Sequence, residues 1–180
     1  MKLKFGKLLA SIGLIAAVAP AVAVAQADYP NRAITIIVPY APGGTTDVVG
    51  RALAESLSRQ LGQPVVIENK PGAAGAMGVI DMMNAKPDGY RLTMAPVGIF
   101  RQPYLQKTRY DPIRDLTYIA SFLTYDFAVT VKADSPFKTI KEFVDFAKKN
   151  PGEIDYGTPG RFTGNQVVLA ALGKKEGTQF

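Results

Sequence analysis

The chain has 180 residues, with 21 lysines and arginines against 15 acids and neither histidine nor cysteine. Disulfides, a lipidated cysteine anchor, and metal or catalytic centres built on histidine or cysteine are therefore excluded. The net charge of +6 is concentrated at the start, where Lys2, Lys4 and Lys7 stand without acids; residues 28–180 carry only +3 and no dense basic stripe for nucleic acid.

Residues 1–27 read as a secretory signal. The three lysines form its basic head, residues 8–19 its apolar run, and small-x-small patterns place cleavage near Ala25 or Ala27. The run breaks at Pro20, short of the ~20 apolar residues a spanning helix needs. Residues 33–39 follow as an isoleucine-rich run of strand length, suited to a central strand buried on both faces. The run ends in Pro39-Tyr40-Ala41-Pro42-Gly43-Gly44-Thr45-Thr46-Asp47. An amphipathic helix is predicted over 47–61, with Gly62 as its left-handed stop. Residues 65–68 form a second strand, 71–75 a loop, 76–85 a second helix, 87–89 a turn and 90–95 a third strand. This order predicts a parallel sheet with helices on both faces. Ligands on such sheets sit beyond the carboxyl ends of the strands, here at loops 40–46, 69–75 and 96–100.

Beyond residue 116 the pattern changes. Residues 117–123 and 127–131 are two β-rich runs suited to a crossing between domains. A helix over 139–149, a strand over 154–157, a Pro-Gly turn and a helix over 165–174 follow. Gly177-Thr178-Gln179-Phe180 reads as a turn and the start of a strand without a closing element, so a C-terminally truncated chain is expected.

The turn after the first strand is the strongest candidate site. A strand that hands over to a helix leaves N–H groups unpaired, and glycines let that backbone approach a ligand closely. The helix end adds partial positive charge, which suits a small anion, most simply a carboxylate. Asp47 either faces the helix dipole or accepts from a ligand hydroxyl or ammonium. The turn before the last helix, with Thr158, Gly160 and Thr163, offers a second such end. Gly72, Gly75 and Gly78 echo a phosphate loop, but no Lys-Ser or Lys-Thr follows, and a turn with tight helix packing is the better reading. No Gly-x-Ser-x-Gly elbow is present, and Asp126 and Asp155 read as solvated loop acids. The expectation is a binding protein, not an enzyme, with no cofactor and no metal.

The ordered set Tyr29-Pro30-Asn31-Arg32, Pro39-Tyr40-Ala41-Pro42-Gly43-Gly44, Leu61-Gly62-Gln63-Pro64-Val65-Val66, Glu68-Asn69-Lys70-Pro71-Gly72-Ala73, Pro87-Asp88-Gly89-Tyr90, Asn150-Pro151-Gly152 and Tyr156-Gly157-Thr158-Pro159-Gly160 resembles the Bug family. These are the solute-binding receptors of tripartite tricarboxylate transporters. The resemblance implies an α/β, type II periplasmic-binding-protein-like Venus flytrap of two domains. Residues 28–123 would form the first domain and 124–180 the start of an incomplete second, with a hinge near 121–127. It implies a di- or tricarboxylate, or a related organic acid, held against Tyr40, Ala41, Gly43, Gly44, Thr45 and Asp47. Val97 would stand on the cleft wall, and Thr158, Gly160 and Thr163 across from it. Arg161-Phe162 replaces a small residue of the family pattern; Arg161 either grips a ligand carboxylate or points to solvent, the latter being favoured. Implied partners are transporter membrane subunits or a sensor protein, with a monomeric chain in the periplasm and no nucleic acid. Two alternatives stand beside this reading: an inactive remnant of a truncated gene, and a periplasmic α/β enzyme acting on a carboxylate or phosphate ester.

Overall fold

The computed structural model describes residues 28–180; the signal segment and its cleavage sites lie outside the described residues. Strand β1 (Ile34–Val38) is central. It pairs in parallel with β2 (Val65–Asn69) on one side, Ile36 opposite Ile67, and with β3 (Arg91–Thr93) on the other, Ile36 opposite Leu92. Both of its faces are covered, which is why it is apolar at nearly every position. Ile36 and Val38 pack with Met94 and with Leu57 of α1 (Thr45–Leu61). Ile37 faces the other way, toward α2 (Ala76–Met83), whose Gly78 brings the helix backbone close to Ile37, Pro39 and Thr93. The predicted parallel sheet with helices on both faces is present, and Gly62 ends α1 with φ 65°.

Helix α3 (Gly98–Leu105) begins inside the loop expected at residues 96–100. It packs with α2 around Ala76, Val79, Ile99 and Tyr110. Pro103 has no N–H for the carbonyl of Ile99, and the Tyr110 hydroxyl donates to that carbonyl instead, at 3.1 Å.

The strands expected at 117–123, 127–131 and 154–157 are corrected: none joins a ladder among the described residues. High β propensity supplies no partner, and a strand exists only where another backbone runs beside it. Ile119, Phe122, Phe127, Val129 and Val131 are accordingly exposed. Helices α4 (Ile140–Lys149) and α5 (Gly164–Glu176) pack through Phe143, Val144 and Leu169, with Phe137, Leu172 and Phe180 around them. A reciprocal cap starts α4: Thr139 Oγ1 accepts from the Glu142 amide, and the Glu142 carboxylate accepts from the Thr139 amide.

Candidate functional site

The loop after β1 is organised by one carboxylate. Asp47 is 3% exposed, and both of its oxygens are used inside the loop. Oδ2 accepts from the Gly43 amide at 2.9 Å and from Arg51 Nε at 3.0 Å, while Oδ1 accepts from Asn69 Nδ2 at 2.9 Å. Asn69 also donates to the Tyr40 carbonyl at 3.1 Å, tying the ends of β1 and β2 together. This corrects the expectation for Gly43: its amide is engaged by its own loop, so it does not stand free for a ligand. Asp47 stands in the first turn of α1, the dipole-facing alternative, and its carboxylate also pins the turn. Gly44 and Thr45 remain exposed at the start of α1, which has no side-chain cap; among the described residues no acceptor meets their amides. Ala41 is exposed and Tyr40 half-buried beside them; burial first, then the neighbouring Tyr125, raises the Tyr40 phenol pKa.

The Arg51 bond, then the Gly43 amide and the Asn69 amide, lower the Asp47 pKa from its ordinary 3.8 to about 2. Between those values the unfolded chain binds the proton that the folded chain resists. The stabilisation is therefore complete above the ordinary value and is lost as pH falls toward about 2. Asp47→Asn is expected to flatten the dependence of melting temperature on pH in this window. An unchanged slope would place the acid sensitivity in other groups.

Tyr125, from the segment expected as a hinge, reaches back to Thr46, hydroxyl to hydroxyl at 2.6 Å. Beneath that segment lies a largely apolar cavity of about 390 Å³, lined by Ile36, Leu53, Met94, Ile119 and Tyr125 among others. It borders Tyr40 and Thr46, but the exposed Gly44 and Thr45 do not line it.

The second turn is also tied internally. Thr158 Oγ1 accepts from the Gly160 amide at 3.3 Å, and Thr163 Oγ1 donates to the Gly160 carbonyl at 2.8 Å. The Phe162 amide donates to Gln166 Oε1 at 2.6 Å. The polar groups of Thr158, Gly160 and Thr163 thus hold their own turn. Arg161 is exposed, with its guanidinium 5.3 Å over the Phe162 ring, as the solvent-facing alternative required. This turn docks on the 3₁₀ turn Ala73–Gly75, where Ala74 stands 3.3 Å from the place a Cβ on Gly160 would take. Val97 is exposed at the start of α3 nearby, and Gly98 lies close to the Ala74 and Phe162 carbonyls. Gly72 and Gly75 adopt positive φ, and Gly78 packs on the sheet, in line with the turn-and-packing reading of this stretch. Among the described residues no hydrogen bond joins the 40–46 loop directly to the 158–163 turn.

Sequence reasoning missed Asn69, Tyr125, Arg101 and Gln102. Arg51 was legible in principle, four residues after Asp47 on one helix face. Arg101 was visible only as a lone cation in an apolar stretch. Asp126 and Asp155 are exposed, and among the described residues no group of three metal-ligating side chains occurs.

The family model described as the tripartite tricarboxylate transporter family receptor matches residues 49–180. The UPF0065 protein in the gbd 5′ region of Cupriavidus necator is 43% identical over 172 residues, covering 95% of this chain and 51% of that protein. The structure of the periplasmic binding protein BugD is similar with a TM-score of 0.72 at 32% identity, over 84% of this chain and 51% of BugD. MatC from Rhodopseudomonas palustris, solved with bound malate, has a TM-score of 0.71 at 26% identity, over 84% of this chain and 52% of MatC. The chain spans about half the length of the curated relatives it matches. Among the described residues no helix is long and apolar enough to cross a membrane.

Proposed function

The chain belongs to the tripartite tricarboxylate transporter receptor family, and from that premise we propose that it captures a small organic acid in the periplasm and presents it to transporter membrane subunits. The observation that carries this reading is the pair of exposed amides, Gly44 and Thr45, at the uncapped start of α1. They point the positive end of a helix at solvent beside the carboxyl end of the sheet. Asp47 supports them from behind by fixing Gly43 and the turn. A carboxylate there would accept charge-assisted hydrogen bonds at no cost in loop rearrangement. MatC carries malate, so malate is the first probe.

Residues 1–27 fit the role as an export signal. Residues 28–123 fit the first of two domains, 124–180 the opening of the second, and the Tyr125–Thr46 contact fits a hinge segment that senses the first loop.

Gly44→Val tests the placement. Gly44 has φ −79°, which any residue adopts, and an added Cβ meets only the Ala41 carbonyl at 3.9 Å. The variant should fold at a cost of about 1 kcal/mol, that of a poor helix cap. Its branched side chain would stand over the amides, and malate binding measured by calorimetry should be lost. Unchanged affinity would refute the site. A thermal-shift screen of di- and tricarboxylates with no stabilising acid would refute the function.

A further inference from the structure

We propose that the cavity beside β3 is a strand-acceptor slot, which takes an extended apolar segment as a fourth strand of the sheet. Its occupant is a segment from the half of the curated relatives that this chain does not span. The inference concerns the sheet and stands apart from the carboxylate reading.

The walls of the cavity place it in the plane of the sheet. One wall is a consecutive stretch of backbone, residues 92–96, at the end of β3; the facing wall is another, residues 116–123. Leu53 and Leu57 of α1 close the space from one layer, and Met82 of α2 closes it from the other. These helices cover opposite faces of the sheet, so a space that touches both lies level with the strands. A surface groove would touch one layer only.

The backbone along the slot is unpaired. On the β1 side, the Tyr90 carbonyl accepts from the Thr35 amide at 2.8 Å, and the Met94 amide donates to the Ile37 carbonyl at 2.9 Å. Hydrogen-bonding direction alternates along a strand, so the amides of Thr93 and Ala95 point the other way, into the slot. Among the described residues neither meets a backbone acceptor. Leu53, Leu57, Met82 and Leu92 stay half-buried around it. Across the slot, residues 117–123 have strand propensity but no ladder, and Ile119 is 78% exposed. One inserted strand answers both edges. It pairs with β3 on one side and with 117–123 on the other, while its side chains alternate between the α1 leucines and Met82. An open strand edge is a template for such addition. BugD superposes on 84% of this chain with 51% of its own length, which leaves a second half of comparable size to supply the strand.

The test co-expresses this chain with the half of the Cupriavidus necator relative that it does not match, and reads backbone amide exchange. In the chain alone, Thr93 and Ala95 should exchange as open amides while Met94 is protected. In the complex, Thr93 and Ala95 should slow by about 100-fold or more, with little change at Met94. Ile119→Lys charges one wall at a side chain already exposed, so the lone chain should melt as wild type and the complex should lose that protection. Ile113→Lys, at a residue 75% exposed and outside the slot, should keep it. If Ile119→Lys fails to fold, the wild-type exchange pattern decides. Halves that do not co-purify, a complex in which Thr93 and Ala95 still exchange freely, or protection that survives Ile119→Lys would overturn the slot. Protection of both amides in a dimer of the lone chain would overturn the occupant in favour of a second copy. None of these readouts depends on a bound acid.

Discussion

Gly75→Ala is expected to destabilise the protein by about 2–5 kcal/mol, the sum of left-handed strain and an overpacked contact. Gly75 has φ 97°, a region that residues with a Cβ avoid. An added Cβ would stand 2.4 Å from Pro96 Cγ and 3.1 Å from Pro96 Cδ. These are ring atoms next to the end of β3, so the neighbour cannot swing away as a long side chain would. Pro39, at the end of β1, is 3.8 Å off on another side. The methyl group would therefore push apart the carboxyl ends of two adjacent strands, where the proposed ligand site is built. Gly43→Ala is the control. It shares a positive φ of 87° but meets nothing within 4 Å, so it should cost only the strain, about 1 kcal/mol. Urea denaturation of both variants checks the difference. A Gly75→Ala loss no larger than that of Gly43→Ala would show that the Pro96 turn yields.

The elements that were legible in the sequence are those whose signals are local. The Ile34–Val38 run, the helical spacing of α1 and the stop at Gly62 each fit within one window, and all three stand where they were read. Helix α3 was not legible, because Gly98 and Pro103 are poor helix residues and its support is tertiary: Ile99 and Gln102 are buried, and Tyr110 meets the carbonyl that Pro103 leaves without a donor. The β-rich runs at 117–123 and 127–131 failed in the opposite direction, since local propensity was present and pairing partners were not. At the site, the Pro-Gly-Gly turn was legible as a strand-to-helix handover with exposed residues at the helix start. The role of Asp47 was not, because it depends on Asn69, which is far along the chain and joins it only when β2 lies beside β1. Arg101 meets Phe162 across a still longer separation, which no spacing rule connects.

Gln102→Ala is expected to cost about 2–5 kcal/mol, through a cavity in the α2–α3 core together with the loss of its hydrogen bond to the Ala73 carbonyl. Gln102 is 1% exposed. Its Nε2 donates to the Ala73 carbonyl at 2.8 Å, and its Oε1 lies 3.2 Å from the Tyr110 hydroxyl. Burial pushes the Tyr110 phenol up to about 12, so that hydroxyl remains a donor throughout the ordinary pH range. Ala73 and Ala74 stand at φ 47° and 50°, a conformation that non-glycine residues hold only when their surroundings impose it. The Gln102 amide is one such constraint, and the turn it fixes is the surface on which Gly160 packs. Gln102→Leu separates the two contributions. It fills the space but removes one of the two donors to the Ala73 carbonyl, the Ala76 amide remaining, so it should lose about 0.5–1.5 kcal/mol. Tyr110 keeps its bond to Ile99 in both variants. If Gln102→Leu unfolds at the same urea concentration as wild type, the left-handed turn is held by packing alone. If it is weakened as expected, the Gln102 amide is one of the constraints that hold Ala73 and Ala74 left-handed.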